Sequence, residues 1–218
     1  MDEFIDDLLL LIPEPLSEEQ VADDIDAEII KVAVVGRPNV GKSTLINLLL
    51  GQERLIANPQ PGTTRDSIDT IVKREGRSYL FIDTAGVRRR SRIVDKVEKY
   101  SVVKAFRSID RADIVIVMLD ALEFITDQDS RIAGYAYEKN RGVILAFNKW
   151  DLAKKDSNTI NRYIEDTRQT LKFLDHAPIV TISALKGTRA VKLFGLIDEL
   201  YACYTKRVST GEIGRAHV

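Results

Sequence analysis

Four near-continuous apolar runs mark the chain: IIKVAVVG at 29–36, ADIVIVMLD at 112–120, GVILAFN at 142–148 and APIVTIS at 177–183. Such runs, rich in Val and Ile, predict strands buried on both faces. SIDTIVKREG (67–76) instead alternates apolar and polar positions, as a half-buried strand does. SYLFID (78–83) follows it after a short Glu75-Gly76-Arg77 turn, so the two predict a hairpin. Helical spacing fills the intervals: LINLLLG at 45–51, VDKVEKYSVVKAF at 94–106, and stretches near 128–140, 157–173 and 189–206. Strands alternating with helices predict an α/β fold: a mostly parallel six-stranded sheet with right-handed crossovers and helices on both faces. The hairpin supplies its one antiparallel edge strand.

Ahead of Ile29 the pattern is different. Residues 1–12, MDEFIDDLLLLI, suit one or two helical turns that Pro13 and Pro15 stop. Residues 13–28 are acidic and proline-punctuated, without an apolar period, and read as a linker. Phe4–Leu9 weakly echoes Leu196–Tyr201 of the closing helix, which suits either chance or the tail of a preceding domain of the same kind. The domain boundaries drawn are therefore 1–28 for the acidic segment, 29–210 for the body and 211–218 for a tail.

Charge follows the same division. Eleven of the 33 acidic side chains lie in residues 1–28, which hold no Lys or Arg; the remaining 22 face all 32 bases, a net of +10. A basic body fits either an anionic partner or a solvated surface. Hydrophobic residues at 44% and charged residues at 30% suit a globular core and exclude collagen-like or mostly disordered chains. No apolar run approaches the ~20 residues of a membrane span, so no membrane role is expected. Cys203 is the only cysteine, which precludes an intrachain disulfide and fits a reducing, cytoplasmic setting.

The chemistry gathers at strand ends. Gly36-Arg37-Pro38-Asn39-Val40-Gly41-Lys42-Ser43 fits GxxxxGK[ST] directly between a predicted strand and helix. Glycines let backbone amides wrap phosphate oxygens, and the helix N-terminus adds positive potential. Lys42 is placed to reach the β- and γ-phosphates and the Ser43 hydroxyl to ligate Mg²⁺. Asp83-Thr84-Ala85-Gly86 ends the SYLFID strand, where Asp83 is expected to hold Mg²⁺ through water and the Gly86 N–H to meet the γ-phosphate. Thr64, within Pro61–Asp66, is the natural second hydroxyl for the metal. Asn148-Lys149-Trp150-Asp151 follows GVILAF. The Asp151 carboxylate suits the N1–H and N2–H₂ donors of guanine, the Lys149 stem can cover the base, and Asn148 can tie this loop to the phosphate loop. Ser183-Ala184-Leu185 can aim a backbone N–H at guanine O6.

Taken together, GRPNVGKSTLIN, PGTTRD, DTAGVRRR, VEKYSV, NKWD and SAL resemble the G domain of translation-factor-related GTPases, and within them the second G domain of the EngA (Der) family, bacterial GTPases of large-ribosomal-subunit assembly. The resemblance covers residues 29–210 and implies a phosphate-loop G-domain fold, GTP hydrolysis to GDP with Mg²⁺, conformational switching, and attachment to the large ribosomal subunit or its RNA. It implies nucleotide contacts from Gly36 through Thr44, from Asp83, Thr84, Ala85, Gly86 and Val87, from Asn148, Lys149 and Asp151, and from Ser183, Ala184 and Leu185. Catalytic work falls to Lys42, Thr64, Gly86 and Asn39. Val87 stands where many GTPases carry a water-orienting glutamine. GTPases with PNVGKS often use K⁺ in place of an arginine finger, which makes Asn39 the matching ligand; the alternative is that Asn39 only shapes the turn.

Family members carry two G domains joined by an acidic linker, then a KH-like domain. The chain lacks the first and the last, so it reads as an excised, monomeric domain, with Gly214–Val218 as a vector-derived tail. The arginines at 88–90 and 92 suit either an RNA-contacting switch or a loop kept soluble by charge. Trp150 is expected to pack rather than stack on the base, and Phe194, Leu196, Ile197 and Leu200 to belong to the core. His176 and His217 lack partners at metal spacing. The competing function is a guanine-nucleotide-sensing module with negligible turnover.

Overall fold

The computed structural model describes residues 29–51, 69–84, 97–153 and 158–206, and of 97–101 the backbone alone. The acidic segment, the Pro61–Asp66 stretch with Thr64, the run Ala85–Arg92 and the tail lie outside them. Strands β1 (Ile29–Val35), β2 (Thr70–Arg74), β3 (Arg77–Phe81), β4 (Ile114–Asp120), β5 (Gly142–Asn148) and β6 (Ile179–Thr181) form one sheet in the order β2-β3-β1-β4-β5-β6. Only β2 runs antiparallel, at one edge, in register with β3 from Thr70↔Phe81 to Arg74↔Arg77. The two-residue turn Glu75-Gly76 has φ of 49° and 78°, as a tight hairpin of twisted strands requires. Arg77 thus belongs to β3 rather than to the turn.

Helices α1 (Lys42–Gly51), α2 (Val97–Arg111), α3 (Asp127–Glu138), α4 (Thr159–Thr170) and α5 (Lys192–Thr205) alternate with the strands. A short 3₁₀ turn, Lys172–Leu174, follows α4 where the sequence pattern predicts continued helix. Side chains of successive strand residues face opposite sides, and the core divides accordingly. Ile114, Ile116 and Met118 join Leu45, Leu49, Phe194 and Ile197 of α1 and α5. Val115, Val117 and Leu119 join Ile109, Ile132 and Ala136 of α2 and α3. Phe194 and Ile197 are buried, with Leu196 and Leu200 packed against them, as expected.

Three predicted boundaries move. Helix α1 begins at Lys42, three positions before its first apolar residue, because Leu45 N–H already bonds to the Gly41 carbonyl at 2.9 Å. Strand β3 ends at Phe81, so Asp83 sits in the following turn at φ 57°. Strand β6 is shorter than its apolar run: pairing with β5 spans Ile179–Thr181, while Ala177 and Ile182 are buried at its two ends, Ile182 keeping one bond from its N–H to the Phe147 carbonyl at 2.8 Å.

The central strands carry the fold's stability. Replacing the fully buried Ile116 by Ala removes methylenes from a packed interior and should cost about 2–5 kcal/mol. Val103→Ala, at a half-exposed position, should cost under about 1 kcal/mol. Urea unfolding midpoints of the two variants compare them directly, and equal shifts would contradict the buried-sheet account.

Candidate functional site

Parallel register brings the carboxyl ends of β1, β4, β5 and β6 to one edge of the sheet, where ligands of open α/β sheets bind. The Gly36–Ser43 loop leaves β1 there. Gly36 has φ 144°, and a Cβ would lie 2.5 Å from the Met118 carbonyl oxygen of β4, so only glycine lets the loop start so close to the neighbouring strand. Gly41, at φ 99°, is closed in by Asn148: a Cβ would come within 2.2 Å of its Nδ2.

Asn148 links three segments. Its buried amide donates from Nδ2 to the Val40 carbonyl at 2.7 Å and accepts at Oδ1 from the Ala184 N–H at 2.9 Å. The tie to the phosphate loop is the one the sequence led us to expect; the tie to the Ser183–Leu185 loop, through Ala184, is an addition the sequence did not suggest. Lys149 follows at φ 62°, and its ammonium meets the Asp120 carboxylate of β4 at 2.6 Å. Asp120 also accepts from the Leu122 N–H at 2.9 Å, which fixes that carboxylate against the Lys149 stem. Asp151 is held below the usual carboxylate range, chiefly by a hydrogen bond from Ser183, with Lys186 3.4 Å away. It is therefore an ionised acceptor at neutral pH. Trp150 packs edge-on against Tyr163 with ring centroids 5.0 Å apart, inside the core. Leu185 projects into solvent, 81% exposed.

Lys42 lies on the first turn of α1, and its ammonium donates to the carbonyls of Gly36 and Arg37 at 2.9 and 2.5 Å. Burial lowers its pKa from the ordinary 10.5 to about 8. Asp83 stands beyond β3; burial raises its carboxyl pKa, against the opposing effect of Lys104, whose ammonium lies 3.0 Å away. Asp69, just before β2, accepts from the Asp83 N–H at 2.9 Å and pairs with Arg111 of α2. Thr84 is fully buried and shares a hydrogen bond with Thr70 at 2.7 Å. Ser43 and Thr44 are both on α1.

Asn39, Asp83 and Lys149 all adopt left-handed backbone at φ 62°, 57° and 62°. Glu75, Phe124, Asn140 and Arg189 share that backbone region elsewhere in the fold, so the conformation alone does not mark the site. Among the described residues no three His, Cys, Asp or Glu side chains gather to hold a metal. A hydroxyl at Ser43 and one carboxylate at Asp83 fit a hard cation that takes few protein oxygens and completes its shell with phosphate and water. Asp120, Asp129, Glu123, Lys104 and Lys186 also take part, none of them singled out in the sequence.

Arg37 has its guanidinium on α3 rather than over the loop. Its Nε donates to Asp129 at 2.9 Å and its Nη1 to Glu123 at 2.7 Å. Burial alone lowers its pKa, but the two carboxylates outweigh it, so it stays charged.

The Lys42 shift has a measurable consequence for stability. Between about pH 8 and 10.5 the unfolded chain keeps the Lys42 proton while the folded chain has lost it, so unfolding takes up a proton and stability rises with pH. The relief is complete above 10.5 and gone as the pH falls through about 8. Unfolding free energies at pH 7.5 and 9.5 should therefore move in favour of the wild type relative to Lys42→Met as the pH rises. A constant difference would refute the burial of the ammonium.

Residues 31–149 match the family of 50S ribosome-binding GTPases. The chain is 50% identical over 213 residues to the GTPase Der of Citrifermentans bemidjiense, covering 98% of this chain and 47% of that protein. It is 48% identical over 209 residues to the GTPase Der of Caldanaerobacter subterraneus, covering 96% of this chain and 46% of the relative. The chain thus spans about half the length of these relatives. Among solved structures, Era in complex with MgGDPNP and a 16S ribosomal RNA segment superimposes with a TM-score of 0.60 at 31% identity, over 84% of this chain and 59% of that one. The elongation factor SelB of Methanococcus maripaludis, with a GTP analogue, has a TM-score of 0.63 at 20% identity over 85% of this chain and 36% of its own, a likeness of fold. The glycine-bounded loop, the strand-end Asn-Lys-Trp-Asp and the six-stranded sheet agree with these likenesses, and the chain belongs to the 50S ribosome-binding GTPase family.

Proposed function

We propose that this chain is a GTP-binding and GTP-hydrolysing G domain that switches conformation in assembly of the large ribosomal subunit. The observation that carries the reading is the Asn148 bridge: one amide holds a phosphate-loop carbonyl and a base-loop N–H, so both halves of a guanine-nucleotide site share one anchor. The Der relatives and the Era likeness favour the same reading.

In this reading the amides of Gly36–Thr44 cradle the phosphates and the Lys42 ammonium moves from its carbonyl partners to β- and γ-phosphate oxygens. Ser43, Thr64 and, through water, Asp83 would hold Mg²⁺, which would offset charge on the phosphates. The Gly86 N–H, outside the described residues, would meet the γ-phosphate. Water attacks the γ-phosphorus, the bond to the β–γ bridging oxygen breaks, and GDP and phosphate leave. Asp151 accepts the two guanine donors, the Lys149 stem covers the base, and the Ser183–Leu185 backbone faces O6. The longer protein meets the ribosomal subunit or its RNA in the cytoplasm, helped by the basic body, while the isolated domain is a monomer. The second reading, a nucleotide-sensing module with negligible turnover, draws on Val87, whose side chain cannot orient a water. Single-turnover hydrolysis of GTP separates the two readings.

Asp151→Asn should weaken GTP binding by roughly 100-fold, since two charge-assisted hydrogen bonds are lost. It should shift preference toward xanthosine triphosphate, whose added carbonyl pairs with an amide. Competition binding with GTP, ATP and XTP measures this, and an unchanged GTP preference would refute the assignment.

With no glutamine at Val87, the Asn39 amide oxygen would hold a K⁺ ion, together with carbonyls around Asn58–Thr63, which lie outside the described residues, and such an ion would supply positive charge near the phosphates. Hydrolysis should be several-fold faster in KCl than in NaCl at equal ionic strength, and Asn39→Ala should erase the difference while nucleotide binding persists. Equal rates in the two salts would remove K⁺ from the mechanism.

A further inference from the structure

Asp129 lies in sequence 92 residues beyond Arg37, on the first turn of α3, and is fully buried. Its Oδ2 takes the Thr126 N–H at 3.1 Å and the Thr126 hydroxyl at 2.8 Å, completing the capping box of α3, and then the Arg37 Nε at 2.9 Å. A capping box needs a side-chain acceptor but no buried charge; a glutamine serves as well. A carboxylate out of contact with water needs a cation beside it. Arg37 is the cation found at that distance.

The other end of Arg37 is also engaged. Its carbonyl accepts from the Lys42 ammonium at 2.5 Å, and its neighbour Gly36 accepts from the same ammonium. Residue 37 is therefore pinned twice: by its side chain to α3 and by its backbone to the lysine of the phosphate loop. The turn from Arg37 to Lys42 is the part of the loop whose amides, in the nucleotide-binding reading, would cradle the phosphates. Glu123 steadies the guanidinium from the solvent side, with a side chain 62% exposed and so a weaker hold.

We propose that Asp129 is a positioning residue for the phosphate loop, latching the Arg37 guanidinium to α3 and so fixing the loop's opening turn for nucleotide. The proposal rests on the nucleotide-binding reading above and adds a residue that touches neither substrate nor metal. A loop held in its binding geometry before the ligand arrives loses less freedom on binding. The latch therefore acts on GDP and GTP alike, through the diphosphate, and leaves base selection untouched.

The experiment titrates the fluorescent nucleotide mant-GDP, with Mg²⁺, into the wild type, Asp129→Ala, Arg37→Ala, the double variant and Thr126→Ala. Asp129→Ala should raise Kd about tenfold, with the ratio of GTP to ATP affinities unchanged and kcat altered less than KM. The double variant should bind no more weakly than Asp129→Ala, because each change removes the same contact. Thr126→Ala removes the helix cap while keeping the Arg37–Asp129 pair; it should lower the thermal midpoint without raising Kd. Where Arg37→Ala leaves Asp129 uncompensated and fails to fold, the double variant, with both charges gone, carries the comparison. Hydrogen exchange of the 36–42 amides in nucleotide-free protein reads the latch independently: it should quicken in Asp129→Ala and not in Thr126→Ala. A wild type that does not bind mant-GDP overturns the functional reading, and the exchange rates still decide the latch. Kd within twofold of wild type for Asp129→Ala, additive effects in the double variant, an equal loss in Thr126→Ala, or unchanged exchange would each overturn it.

Discussion

The site depends on a single amide. Asn148 ends the strand that lies between β4 and β6, and its side chain has a donor and an acceptor that face different loops. Both contacts are buried, so leaving either unmade costs about 1–3 kcal/mol. The loop after β1 and the loop after β6 are thereby tied to one point, although two strands of the sheet, β4 and β5, lie between β1 and β6. Rigid strands carry the anchor; the loops inherit its position.

Charge is arranged around that anchor in pairs. Lys149 faces Asp120, Arg37 faces Asp129 and Glu123, Lys104 faces Asp83, and Arg111 faces Asp69. Each pair joins elements that are distant in sequence, and several bind a loop to a helix. Removing the cation beside the buried carboxylates Asp129 and Asp120 leaves a charge without compensation, whereas the half-exposed Glu123, Lys104 and Arg111 are screened by water and hold more weakly. The pairs specify where loops lie more than they add to overall stability.

The fold was largely legible because β1, β4 and β5 are buried on both faces and therefore read as unbroken apolar runs. Boundaries were less so. The start of α1 is written in Lys42-Ser43-Thr44, polar residues that carry no apolar period. The end of β6 is hidden because Ile182 and Ala184 stay buried past the ladder. At the site, the glycine loop and Asn148–Asp151 were legible because their spacing is local. The Arg37–Asp129 pair was not, since no periodicity joins positions 92 residues apart. Thr126-x-x-Asp129 does carry a capping-box signature, the one local clue that Asp129 has a structural partner.

The clearance between Gly41 and Asn148 has a consequence for how such sequences can vary. A Cβ at position 41 would stand 2.2 Å from the Asn148 amide nitrogen, so the two positions share one volume. A larger residue at 41 demands a shorter one at 148, and a shorter one at 148 releases both loops. A shorter residue at 148 would clear the space yet leave any side chain at 41 strained by its φ of 99°, so the exchange loses the bridge without making room for anything but glycine.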